Sequence, residues 1–378
     1  MKKYKLFDGH LHHFVFPVPV RESIDLYRRQ FKRFNIKKFA FLALPCDPVV
    51  GRYGIERTDR VDNLRSMYFK KVFSPNGYAY AGLEYIGLDL SDKKAVAQEL
   101  LRQVAENKKV GYDGMKMYEA HPNMHATLGY DLDDEVYDLY FDFCEKEKFP
   151  IIMHIANAPY MWDPEKVNEY WRNRGCLFTD KHPTFDGLHQ ELLRRLKKNP
   201  KLNLTVAHFG FMTFNKTVME EFMSFENTRL DVCPGTHNYF NLSDEREYWR
   251  PFFIKYQDRI CYGTDSYNFE YENEENWLRA TGVRPILVQR FLIEDSEIET
   301  SNRTIKGFKL DKKILNKIFY DNLNNLLGEP NKIDLEYFYE KCKKLLEETT
   351  PSTRSHYDLW CMKNDFETFI KGEKIYYE

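Results

Sequence analysis

Eight short apolar runs recur along the chain, and a stretch with helical spacing follows nearly every one. The runs span residues 5–7, 38–44, 80–86, 111–117, 149–155, 202–207, 229–233 and 259–263. Runs of this length, rich in β-branched and aromatic residues, predict buried strands. Between them, residues 23–34 place Ile24, Tyr27, Phe31 and Phe34 on one helical face, and 133–146 do the same with Val136, Leu139, Tyr140 and Phe143. Further helices are predicted over 59–73, 91–107, 189–198, 217–225, 244–255 and 314–327, the last ending at Gly328. Strands that alternate with helices imply a parallel sheet. Eight such units closing on themselves make a (β/α)8 TIM barrel of the α/β class.

The 378 residues suit one such barrel with insertions. A single domain over 1–378 is therefore expected, with the barrel at about 4–328 and a C-terminal helical extension over 329–378. In that extension a helix is predicted around 336–347, followed by an aromatic, irregular end. Three connections are long, at 45–58, 157–181 and 266–310. All three follow strands, so they are read as loops on the C-terminal face, where barrel active sites lie.

Composition removes several classes. Lys and Arg number 56 and Asp and Glu 58, a net charge of -2 that offers no footprint for nucleic acid. No apolar run approaches the roughly 20 residues that span a bilayer. The seven cysteines include no C-x-x-C pair, which argues against a disulfide framework or a cysteine zinc site. The basic start runs straight into Asp8 and His10 without an apolar segment, so no signal peptide is read, and a reducing, cytoplasmic setting is expected. A small molecule is the expected partner, and the 16% aromatic content suits a cleft lined by rings.

The chemistry gathers at strand ends. In Asp8-Gly9-His10-Leu11-His12, alternation puts Asp8, His10 and His12 on one face and His13 on the other. The fifth run ends at His154, the sixth at His208, and the eighth at Asp265. In a closed barrel these ends converge on one mouth, where imidazoles and a carboxylate form a divalent-metal site. Lys116 ends the fourth run beside Tyr118. Arg52, Trp162 and His237 lie in segments after the second, fifth and seventh runs, where a cation and rings suit a planar carboxylated molecule.

These motifs resemble the amidohydrolase superfamily, specifically its amidohydrolase-related branch of metal-dependent hydrolases and non-oxidative decarboxylases. The matching segments are Asp8-x-His10-x-His12, His154, Val206-Ala207-His208-Phe209-Gly210, Tyr262-Gly263-Thr264-Asp265 and Ile318 through Leu327. The resemblance implies that His10, His12, His154 and Asp265 hold one divalent metal, Zn²⁺ first and Mn²⁺ or Fe²⁺ next. It implies that His208 handles protons and that Asp265 doubles as ligand and proton acceptor. Lys116 keeps three readings: a carboxylated bridge to a second metal, a substrate or water contact, or a lysine paired with Asp113 or Glu119. The expectation taken is an uncarboxylated lysine facing the cavity. The implied activity is hydrolysis of an amide, lactone or ester of a small carboxylated molecule by hydroxide generated at the metal. The alternative is decarboxylation of an aromatic or unsaturated acid in the same site. Members of the family are often oligomers, so the aromatic tail is read as packing on its own barrel or in a homodimer.

Overall fold

The apolar runs form the staves of a parallel barrel, in a computed structural model that describes residues 4–14, 18–45, 60–267, 274–300, 302–373 and 375. The strands are β1 (Leu6–Leu11), β2 (Ile36–Leu42), β3 (Gly77–Ala81), β4 (Gly114–Ala120), β5 (Ile151–Ile155), β6 (Leu204–Val206), β7 (Thr228–Asp231) and β8 (Ile260–Cys261). They pair in sequence order, each parallel to the next. Gly9 N–H donates to the Tyr262 carbonyl (3.0 Å) and His12 N–H to the Ser266 carbonyl (2.9 Å), which ties β1 to the chain leaving β8 and closes the ring. The α/β TIM barrel read from the sequence is the fold.

The outer helices are α1 (Val20–Phe34), α2 (Asp62–Val72), α3 (Lys93–Val110), α4 (Pro122–Leu128), α5 (Asp138–Lys146), α6 (Glu169–Arg172), α7 (Phe185–Lys198), α8 (Lys216–Ser224), α9 (Thr236–Asp244), α10 (Arg246–Lys255), α11 (Glu274–Ile293), α12 (Lys312–Asn316) and α13 (Asn322–Leu327). Local chemistry sets their ends. Asp92 caps α3 by accepting from Ala95 N–H, Thr184 caps α7 by accepting from Gly187 N–H, and Gly111 closes α3 in the left-handed region. The barrel floor is plugged by Phe7, Tyr78, Tyr80 and Leu323, so the open end is the C-terminal one.

Three departures from the sequence reading bear on the site and on the extension. The third strand covers 77–81 rather than 80–86, because Tyr78 and Tyr80 both turn inward and the chain leaves the sheet at Gly82. The segment 266–310 is not one loop: it holds α11 and a two-stranded antiparallel ribbon, β9 (Glu297–Glu299) with β10 (Thr304–Lys306). The aromatic end of the extension is a helix. It follows α14 (Leu335–Glu348) as α15 (Arg354–Ile370), capped by Thr353, and its buried face carries Leu359, Met362 and Phe366. This extension packs on its own barrel: Arg65 of α2 pairs with Asp358 (2.8 Å), and Arg21 and the Tyr68 hydroxyl both bind Asp365.

One buried acid on a barrel strand gives a pH prediction. Glu119 on β4 is buried, accepts from the Tyr85 hydroxyl (2.9 Å) and from Tyr118 N–H (2.7 Å), and burial pushes its carboxyl up to about 7. A carboxyl whose folded pKa lies above its unfolded value is least costly below pH 4.5, and the associated stability is lost as pH rises through 7. The loss amounts to about 3 kcal/mol. Glu119→Gln is therefore expected to match wild type in melting temperature at pH 4.5 and to exceed it by roughly 4 °C at pH 8. A variant no more stable than wild type at pH 8 contradicts this account.

Candidate active site

His10 and His12 sit at the C-terminal end of β1, both almost fully buried. His10 Nδ1–H donates to Asp231 Oδ2 at 2.6 Å, and His12 Nδ1–H donates to the Leu42 carbonyl at 2.7 Å. Carbonyl and carboxylate oxygens only accept, so both rings keep the proton on Nδ1 and present a bare Nε2 lone pair. Those two Nε2 atoms lie 3.1 Å apart. Asp265 Oδ1 stands 3.6 Å from His10 Nε2 and 3.5 Å from His12 Nε2. Tetrahedral ligands at about 2.1 Å from one ion are roughly 3.4 Å apart, so the trio fits a single metal. Two lone pairs and an anion repel one another across such a gap, and a divalent cation turns that repulsion into attraction.

The electrostatics agree. Burial holds His10 and His12 well below the usual imidazole range, so both stay neutral, the form that binds metal. Burial alone would raise Asp265, but the Arg284 guanidinium bound to it outweighs that and holds the carboxyl well below its ordinary range. Arg284 of α11 is bound to Asp265 Oδ2 at 2.7 Å. Burial lifts Asp231 to about 6, which leaves it ionised at neutral pH.

Supporting groups lock this geometry. Asp8 accepts from Thr264 N–H (3.1 Å), from the Thr264 hydroxyl (2.7 Å) and from His10 N–H (3.2 Å), pinning β8 to β1 beside Asp265. Gly263 admits no side chain: a Cβ there would meet Asp231 Oδ1 at 2.4 Å and His10 Cβ at 2.9 Å. Asp231 and Arg284 are site residues that sequence reasoning passed over. Asp231 lies inside the seventh run, where it closes β7, and its role depends on a partner far away in sequence. Arg284 lies in a segment read as loop.

His208 follows β6 in an unusual backbone. His208, Phe209, Gly210 and Phe211 all have φ between 53° and 58°, a left-handed turn of four residues. Each non-glycine residue there costs about 1–2 kcal/mol, so the surroundings must impose the turn. The His208 ring centroid lies 5.7 Å from that of His10 and 5.1 Å from that of His154. Its Nδ1 is 3.3 Å from Cys233 Sγ, which is also 3.3 Å from His10 Nδ1. Burial brings His208 down to about 4, so it is neutral at pH 7.

The other sequence candidates divide. His154 lines the mouth but stands outside the trio of ligand atoms, and its Nε2–H donates to the Ala156 carbonyl at 3.0 Å. Lys116 is buried, its ammonium depressed by burial and 3.4 Å from His10 Nε2. Asp113 is taken by Lys70 (2.7 Å) and Glu119 by Tyr85, so Lys116 points to the metal trio rather than to either acid. Tyr118 stacks on His121 (4.5 Å, 12°) beside His154 and forms one wall. Trp162 turns away: its indole N–H donates to the Pro183 carbonyl and its ring packs on Phe178. His237 lies against Tyr160 at 4.5 Å. Arg52 lies outside the described residues. His13 packs on Phe69, away from the mouth.

A parallel barrel with three groups at its open end that could hold a metal ion is the architecture of metal-dependent barrel enzymes. The chain belongs to the amidohydrolase family, whose match covers residues 74–328 and whose members are metal-dependent enzymes. Among solved structures it is similar to an uncharacterised TIM-barrel protein from Bordetella bronchiseptica, at 13% identity and a TM-score of 0.54, covering 86% of this chain and 98% of that one. It is also similar to 2,6-dihydroxybenzoate decarboxylase from Rhizobium, at 17% identity and 0.46, covering 86% and 98%. A third likeness is 4-oxalomesaconate hydratase from Rhodopseudomonas palustris, at 13% and 0.48, covering 90% and 99%. Likenesses at such identities bear on the fold alone. No curated protein sequence matches the chain. Among the described residues no helix is long and apolar enough to cross a membrane.

Proposed function

We propose that the protein is a metal-dependent hydrolase that opens an amide, lactone or ester of a small carboxylated molecule. One observation carries this reading: the bare Nε2 atoms of His10 and His12, 3.1 Å apart, face the ionised Asp265 at ligand spacing. When bound, a divalent ion, Zn²⁺ first, supplies Lewis acidity to a carbonyl and to a water. His10 and His12 would hold it through Nε2 and Asp265 through Oδ1. His154, at the mouth beside His208, would be the fourth residue of the set.

The chain's own groups do the rest. His208, neutral at pH 7, takes a proton from the attacking water and returns it to the leaving group. Lys116 draws the substrate carboxylate toward the metal trio, and the Tyr118–His121 stack offers a flat wall that excludes water. A second reading, decarboxylation of a planar unsaturated acid, is favoured by that same pairing of a buried cation with a flat wall. His208 would then deliver the proton to the carbon that loses its carboxylate.

Elemental mass spectrometry of untagged protein tests the shared premise. The expected content is about one zinc or manganese per chain. No metal after reconstitution sinks both readings. In a substrate screen of the loaded protein, a new acid–amine or acid–alcohol pair supports the hydrolase, whereas released CO₂ replaces it with the decarboxylase.

A further inference from the structure

Two buried side chains from outside the left-handed turn hold its carbonyls. Asn238 Nδ2–H donates to the His208 carbonyl at 2.9 Å, and His189 Nε2–H donates to the Gly210 carbonyl at 2.7 Å. Asn238 stands on α9, after β7, while His189 stands on α7, before β6. Both are fully buried. The Thr213 hydroxyl donates to Asn238 Oδ1 at 2.6 Å. That bond fixes the amide: with Oδ1 accepting, Nδ2 faces the His208 carbonyl. The turn is thus stapled from two different helices, at its first and third residues.

The hand of the turn decides where His208 points. In the opposite hand the Cα–Cβ bond of His208 would leave along another direction, and its ring would quit the space beside His10 and His154. Three of the four turn residues carry side chains, so nothing intrinsic to them selects this hand. We propose that Asn238 and His189 are positioning residues, which hold the turn in the hand that aims the His208 imidazole at the metal trio. The catalytic importance of that aim rests on the role given to His208 above; the stapling itself does not.

The test uses full-length protein labelled with ¹⁵N-histidine, metal-free and then loaded with Zn²⁺. Eleven histidines keep the imidazole spectrum tractable, and His208→Asn identifies the His208 signals by their loss. Asn238→Ala and His189→Leu are each expected to shift both His208 nitrogen resonances while those of His10 and His12 hold their places. His189→Gln, whose amide N–H can reach the same carbonyl, is expected to restore them. Amide exchange over 207–211 is expected to quicken about tenfold, the worth of one lost hydrogen bond. Should exchange quicken while the His208 resonances stay at wild-type positions, the two side chains merely stabilise and the proposal falls. It falls equally if His189→Gln behaves as His189→Leu. If Asn238→Ala does not fold, the His189 pair decides alone. A wild-type protein that takes up no Zn²⁺ would defeat the proposed function and leave this inference standing, since the His208 signals are read without metal as well.

Discussion

Asp265→Ala is expected to leave the purified protein without bound metal while its fold persists. Asp265 supplies the only anion in the trio, and the neutral imidazoles that remain form a weak site for a hard or borderline cation. Asp231→Asn is the graded companion. Asp231 uses both oxygens, Oδ2 for His10 Nδ1–H and Oδ1 for Cys233 N–H at 2.8 Å. Asparagine has one acceptor oxygen, so one donor loses its partner and the charge that makes His10 basic is gone. Metal affinity should fall roughly 10–100-fold. Titration of apo-protein with Zn²⁺ against a competing chelator measures both variants, and circular dichroism confirms that each is folded. If Asp265→Ala binds Zn²⁺ as tightly as wild type, the ion is held by other groups and the trio is not the site.

Strand order and the barrel class were legible because most stave positions are buried on both faces, so the staves show as short, mainly apolar runs. The His10, His12, His208 and Asp265 cluster was legible for a related reason: polar residues at the ends of such runs stand out once the runs converge. What stayed hidden depends on pairing across the fold. Asp231 orients His10 from a sequence distance of 221 residues, and nothing local to residue 231 distinguishes an orienting carboxylate from a surface one. Arg284 was lost because α11 carries Pro285 and little periodic contrast, so its segment reads as loop. The left-handed hand of His208–Phe211 has no composition signal, since one glycine among four residues suggests a turn without specifying it. Trp162 reads as a pocket ring, yet its half-buried indole N–H is taken by the Pro183 carbonyl and its ring by Phe178, contacts that no local pattern shows.

The extension was the least legible part, and its anchoring supports a large stability effect. Aromatic spacing hid the periodicity of α15, whose buried face includes Asp358 and Asp365 as well as apolar residues. Asp358 is fully buried. One oxygen takes Arg65 Nε–H at 2.8 Å and the other takes Val20 N–H at 3.2 Å, so a single carboxylate joins α15 to α1 and α2. Arg65 is itself buried, and Asp62 on its own helix is its other acid (3.2 Å). Asp358→Ala removes one partner of a buried pair and leaves a guanidinium short of charge in the core. The expected loss is 3–5 kcal/mol, roughly 4–6 °C in melting temperature for a chain of this length. Asp358→Asn should recover the Val20 bond but not the charge, and so fall between. Because the contact is within one chain, light scattering should return the same mass for both variants as for wild type. Unchanged melting would mean that the apolar face of α15 alone holds the extension. A drop in mass would instead place α15 at an interface between copies.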